Sequence, residues 1–168
     1  ADAEVASSAN LPVGLIWVIG AIVFIAFLAE SSTEGWSALH IERTLGGGAG
    51  EGALGPAFLG LRMGIGRLSG YALTRYFSDL VLIALACLLS AIGIAIAAGA
   101  SAVLMAYVGF AFGGLGISIV APTALALIGR AIPGELRTIA ISRATVIGYC
   151  AFFMGPFWCP LGRLGAPV

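Results

Sequence analysis

Polar and apolar positions fall into long blocks along this chain. The residues from Val5 to Ala29 carry no charge, and neither do those from Ala144 to Gly162. A third run, between Asp79 and Arg130, holds 50 residues without an acid or a base. As one helix that run would extend about 75 Å, whereas a hydrocarbon core is about 30 Å thick. It is therefore predicted to cross twice, turning at Gly99-Ala100-Ser101. The pattern predicts five helical spans, at about 11–30 (or somewhat beyond), 53–73, 79–98, 101–128 and 139–158. Pro12 and Pro56 suit first turns, and Ser78 suits a cap. Pro122 should kink the fourth span, and Pro156 and Pro160 should bend or end the fifth.

The fold class that follows is all-α, a polytopic transmembrane bundle. Residues 1–10 are small and polar and read as a linker, with no basic stretch or cleavage site of a signal peptide. Ser31 to Trp36 marks the wet end of the first span, with Trp36 suited to an interface. Gly46 to Gly50 reads as a flexible loop.

Composition agrees with the pattern. The chain has 168 residues, 60% hydrophobic and 10% charged, against roughly 25% charged in soluble domains. Its cations are 8 Arg, balanced by 8 acids, so no basic surface exists to grip nucleic acid. The 25 glycines have no Gly-X-Y period, which excludes collagen. Cys87, Cys150 and Cys159 are scattered and make neither a disulfide framework nor a metal site.

With five spans the termini lie on opposite sides. Placing the N-terminus inside puts Arg67, Arg75, Arg130, Arg137 and Arg143 at inner ends, against Arg43 and Arg163 outside. The excess of inner arginines predicts a cytoplasmic N-terminus. The expected location is a bacterial inner membrane.

Scarcity of charge makes the exceptions informative. Arg62 falls about 13 Å below the outer end of the second span, where a lone charge costs at least about 2.5 kcal/mol. Two readings stand: binding of substrate or a counter-ion, and a structural or snorkelling role. Glu30 closes the first span on the outer side. It is either a proton or substrate site, because a partly dry carboxyl holds its proton, or an ordinary interfacial acid. Glu34 and Trp36 are further candidates for substrate or proton coupling, and for Glu34 and His40 the other reading is that they sit in water, with Trp36 at the interface. Arg67 is expected to snorkel or pair, and Asp79 to cap a helix. Gly60/Gly64 and Gly66/Gly70, with Gly109/Gly113 on the fourth span, are small residues four apart that admit a neighbouring helix. They serve either sliding or static packing. Phe27 and Phe152 read as core- or lipid-facing. No nucleophile–base pair and no metal-spaced cluster is present, so no enzyme, cofactor or metal is expected. Gly64-x-Gly66 follows no strand and is not a dinucleotide site.

At this point the residues resemble a family. Gly66-Arg67-Leu68-Ser69-Gly70 with Thr74-Arg75 is similar to the G-R-L-x-G…D-R-x-G signature of the major facilitator superfamily. Glu30 with Glu34-Gly35-Trp36-Ser37-Ala38-Leu39 resembles the end of helix 7 in its sugar-permease-like branch. Gly114-x-Gly116 with Pro122, and Gly148-Tyr149 with Gly155-Pro156, resemble helices 10 and 11. Tyr71, Thr74 and Phe77 depart from the signature, so the resemblance does not carry an inner-gate charge relay. Gly66, Arg67, Gly70 and Arg75 form the inner-gate loop it implies.

The resemblance implies helices 7 to 11, a partial six-helix half. The expected function is a fragment of a secondary active transporter moving a small solute by alternating access, proton-coupled and inactive alone. Its implied partners are the bilayer, the missing N-terminal half, the solute and H+. Glycine faces meant for that half could let the fragment self-associate. The alternative is a complete small membrane scaffold or channel subunit.

Overall fold

The computed structural model describes residues 12–132 and 134–161. The expected linker at 1–10 and the link residue Pro133 lie outside the described residues, as do the side chains of Tyr71, Glu135 and residues 155–161. The expected roles of Gly155 and Pro156 fall in that last group.

Five long helices form the bundle, and there is no strand among the described residues. They are α1 (Val13–Leu39), α2 (Ala49–Leu73), α3 (Asp79–Ala98), α4 (Val103–Ala131) and α5 (Gly134–Leu161). One wide turn, the π-helical His40–Thr44, extends α1. Four of these rods are long and apolar enough to cross a bilayer. The exception is α2, whose Glu51, Arg62, Arg67 and numerous glycines lower its hydropathy. The uncharged run is two helices, α3 and α4, joined through residues 99–102.

α1 differs from the sequence pattern, which ends the first span near Glu30. The hydroxyls that mimic a stop are satisfied inside the helix. Ser31 Oγ donates to Leu28 O at 3.2 Å, and Ser37 Oγ to Glu34 O at 3.1 Å. Back-bonded hydroxyls of this kind leave the backbone ladder intact. The helix ends only after His40–Thr44, where Gly46 takes φ +70°, a conformation that suits a residue without Cβ. Gly48 then opens α2, its N–H donating to Glu51 Oε2 at 2.9 Å. Ser78 does occupy the N-cap of α3, but its side chain makes no capping bond.

α4 is the central helix and packs on all four others. In its most apolar stretch 61% of the residues are buried, against 22–33% in the other three candidate spans. Its inner face, with Ile119, Val120, Ala124 and Ile128, meets Ile19 and Val23 of α1, Leu82 and Ala86 of α3, and Ala140 and Ala144 of α5.

Glycine decides how close the helices come. A Cβ on Gly93 of α3 would strike the backbone of Gly113, and would stand 2.8 Å from Gly109 O. Gly109 lies against Ala97, and Gly116 against Ala86 and Ser90. Gly66 and Gly70 of α2 are likewise covered, by Ser118 and Ile119 of α4. Gly60 and Gly64 are different, because a Cβ there meets nothing within 4 Å. The spacing is the same, but that face of α2 is uncovered by the described residues.

Candidate functional site

The extension of α1 moves Glu30 inward. Along the 32-residue rod Val13–Thr44, Glu30 stands about 26 Å from one end and about 21 Å from the other. It is therefore a mid-rod carboxylate rather than one closing the helix. α2 runs back beside α1 and brings Arg67 to it, with Arg67 Nη2 3.6 Å from Glu30 Oε1. The carboxylate is nearly enclosed, at 15% exposure, whereas the guanidinium is 56% exposed. A separation of 3.6 Å is an ion pair without a close hydrogen bond.

One turn before Glu30, Phe27 faces α5. Its ring centroid lies 5.2 Å from that of Tyr149 and 5.3 Å from that of Phe152. Gly148 makes room for this approach, since a Cβ there would press on Val23 and stand 3.4 Å from Phe27. Carboxylate, guanidinium and aromatic rings thus share one level of the bundle. The three rings attract by tilted packing.

Arg62 sits near the middle of α2 and is half-buried. It makes no ion pair among the described residues. Glu34 is exposed. Trp36 lines a cavity of about 270 Å3 near the π-helical end, together with Ser32, Thr33, His40, Ile94 and Phe110. His40, expected in water, is instead packed there. Its Nε2 is 2.9 Å from Ala97 O, among the last carbonyls of α3, and its ring meets Phe110 edge-on. Terminal carbonyls lack the full set of helical donors; Ala97 O accepts from Ala100 N at 3.3 Å, and His40 adds a side-chain donor.

The opposite end carries a second ion pair. Arg130 Nη1 lies 3.1 Å from Asp79 Oδ2. Asp79 is 7% exposed, and its Oδ1 has no hydrogen-bond partner. Asp79 is thus a buried charge joining α3 to α4 rather than a simple cap. The spacing of charges held the signal: the two residues bracket the uncharged run, and folding that run in half brings its ends together. Arg75 is exposed in the turn after α2. Pro122 lines a cavity of about 160 Å3 with Arg67, Gly70, Thr74 and Arg130. Among the described residues no acid, His or Cys cluster could hold a metal.

No family model matches the chain, and no solved structure matches it. A curated relative does. The chain is 32% identical over 147 residues to an uncharacterized MFS-type transporter of Yersinia pestis. The match covers 86% of this chain and 38% of that relative's length. An all-helical bundle with apolar, membrane-length rods describes an integral membrane protein. Together with that similarity, it supports a place for the chain in the major facilitator superfamily.

Proposed function

We propose that this chain is the C-terminal part of a longer secondary active transporter, moving a small solute by alternating access and coupled to protons at Glu30. The Glu30–Arg67 pair carries the reading. An enclosed carboxylate far from both helix ends is held by a single cation on a neighbouring helix. Protonation removes the attraction and releases Arg67, so a proton changes the contact between α1 and α2. Arg62, mid-helix and without an ion pair among the described residues, supplies a charge for the solute or its counter-ion. The similarity to an MFS-type transporter supports the same reading. Such transporters bind solute near the midplane, between two repeats that rock about it.

On this reading the partners are the bilayer and the rest of the transporter. The arginine-bearing ends lie on the cytoplasmic side, at a bacterial inner membrane. The sugar-permease-like segment around Trp36 favours a sugar-sized solute.

The test uses the full-length protein in proteoliposomes with an internal pH dye and a panel of sugars and small metabolites. A solute that drives proton entry in the wild type should enter Glu30→Gln liposomes only by exchange, without a pH change. Wild-type proton entry in Glu30→Gln would remove Glu30 from coupling. Arg62→Ala should lower uptake at least tenfold, and unchanged uptake would exclude Arg62 from the pathway.

A further inference from the structure

Among the described side chains, the arginine-bearing end of the bundle holds more positive charge than its ion pairs use. Two adjoining cavities open there on either side of α4. One, of about 160 Å3, is lined by Arg67, Thr74 and Arg130. The other, of about 540 Å3, is lined by Arg130 and Arg137. Pro122, Ala126 and Arg130 form the wall common to both. Arg130 therefore lines both cavities, with Arg67 beside it in the smaller and Arg137 beside it in the larger.

Arg67 and Arg130 are each tied to a carboxylate through one terminal nitrogen, to Glu30 and Asp79. A guanidinium has five N–H donors, so most remain for another acceptor. Arg137 makes no ion pair among the described residues. It lies over Gly129, whose added Cβ would stand 3.2 Å from Arg137 Nε. The glycine thus lets Arg137 press against the wall of the larger cavity. Among the described side chains there, three guanidiniums face two carboxylates. Arg137 also sits in the first turn of α5, where the positive end of the helix dipole favours an anion.

We propose that the larger cavity binds a phosphate group between α4 and α5, with Arg137 and Arg130 as its principal donors. Planar guanidinium forks approaching from different helices match the several oxygens of a phosphate better than one carboxylate. Two sources present that chemistry: the head group of an anionic phospholipid, and a free phosphate or phosphate ester. Basic pockets between transmembrane helices bind anionic head groups. The proposal does not depend on proton coupling at Glu30.

Arg137→Gln touches neither ion pair and is the principal variant. In one arm, the protein from mixed phosphatidylglycerol and phosphatidylcholine membranes is extracted, and retained lipid is measured by native mass spectrometry. In the other, melting is followed in detergent with inorganic phosphate against chloride at equal ionic strength. The wild type should retain phosphatidylglycerol preferentially or be stabilised by phosphate. The first result assigns a lipid source and the second a soluble one. Arg137→Gln should reduce the effect about fivefold, the weight of one cation near the membrane surface, and Arg137→Lys should fall between. If Arg137→Gln lost helicity, Gly129→Ala, which displaces Arg137 by tenths of an ångström, would be read instead. Equal lipid retention and equal phosphate response in wild type and variants would overturn the proposal, as would no preference in the wild type.

Discussion

The seam between α3 and α4 is glycine packing along its length, whereas the seam between α1 and α2 adds an ion pair in its middle. The first is made of Gly93, Gly109, Gly113 and Gly116 against one another and against Ala86, Ser90 and Ala97. Backbones meet there without side chains between them. The second is bridged by Glu30 and Arg67 at 3.6 Å and packs closely only farther along, where Gly55 of α2 lies against Ser37 and Ile41, while a Cβ added at Gly60 or Gly64 would meet nothing within 4 Å. In a bilayer there is little hydrophobic drive between helices, and close packing of small residues takes its place. A backbone seam has no slack. Around Glu30, where one long ion pair bridges the helices, the contact can be broken and remade.

The contrast can be broken most severely at Gly93. Gly93→Val puts side-chain atoms into the backbone of Gly113, and overpacking of that kind costs about 3 kcal/mol or more. The expected outcome is a large drop in melting temperature in detergent, or loss of the folded protein. Wild-type melting would mean that α3 and α4 are not closely packed.

The next effect is at the ion pair on the arginine-bearing end. Arg130→Gln leaves the buried Asp79 carboxylate without its cation. Losing one partner of a fully buried pair costs about 3–5 kcal/mol, and the half-exposed Arg130 brings this down to about 2 kcal/mol. Adding Asp79→Asn should recover part of the loss. A double variant as unstable as the sum of both singles would show that the two do not act as a pair.

Arg67→Gln should cost less, about 1 kcal/mol, because its ion pair is long and its guanidinium exposed. It should also raise the accessibility of a cysteine placed at Ser37, buried against Gly55 of α2, to a thiol reagent, which would not occur if the α1–α2 seam were as rigid as the α3–α4 seam. Smallest of all, Gly64→Ala should leave the melting of this chain within about 0.5 kcal/mol. A larger loss would show that this face of α2 is covered.

The two seams also differ in how far the sequence discloses them. Long charge-free runs demand membrane-length helices, so the all-α bundle is legible from where the charges fall. The glycine motifs are legible as motifs, but four-residue spacing cannot say which face is covered. Gly66/Gly70 and Gly60/Gly64 look alike in the sequence and have opposite surroundings. The Glu30–Arg67 pair was hidden for a local reason. Ser31 and Ser37 bond within their own helix, so a stretch that reads as a polar end continues as helix and carries Glu30 to mid-rod. His40 was hidden for a long-range reason, since its partner is a backbone carbonyl 57 positions away. Arg62 stood out because a charge in an apolar stretch is costly, whatever it contacts.

The unbroken rod from Val13 to Thr44 has one more consequence. Its 32 residues measure about 48 Å, against about 30 Å of hydrocarbon. Transmembrane helices lean by up to about 40°, which shortens the rod's span only to about 37 Å. Some of it must therefore stand clear of the hydrocarbon. The helix is then a stiff lever, with Glu42 and Arg43 on the protruding arm and Glu30 near the fulcrum. A push on the exposed arm reaches the carboxylate without any loop in between.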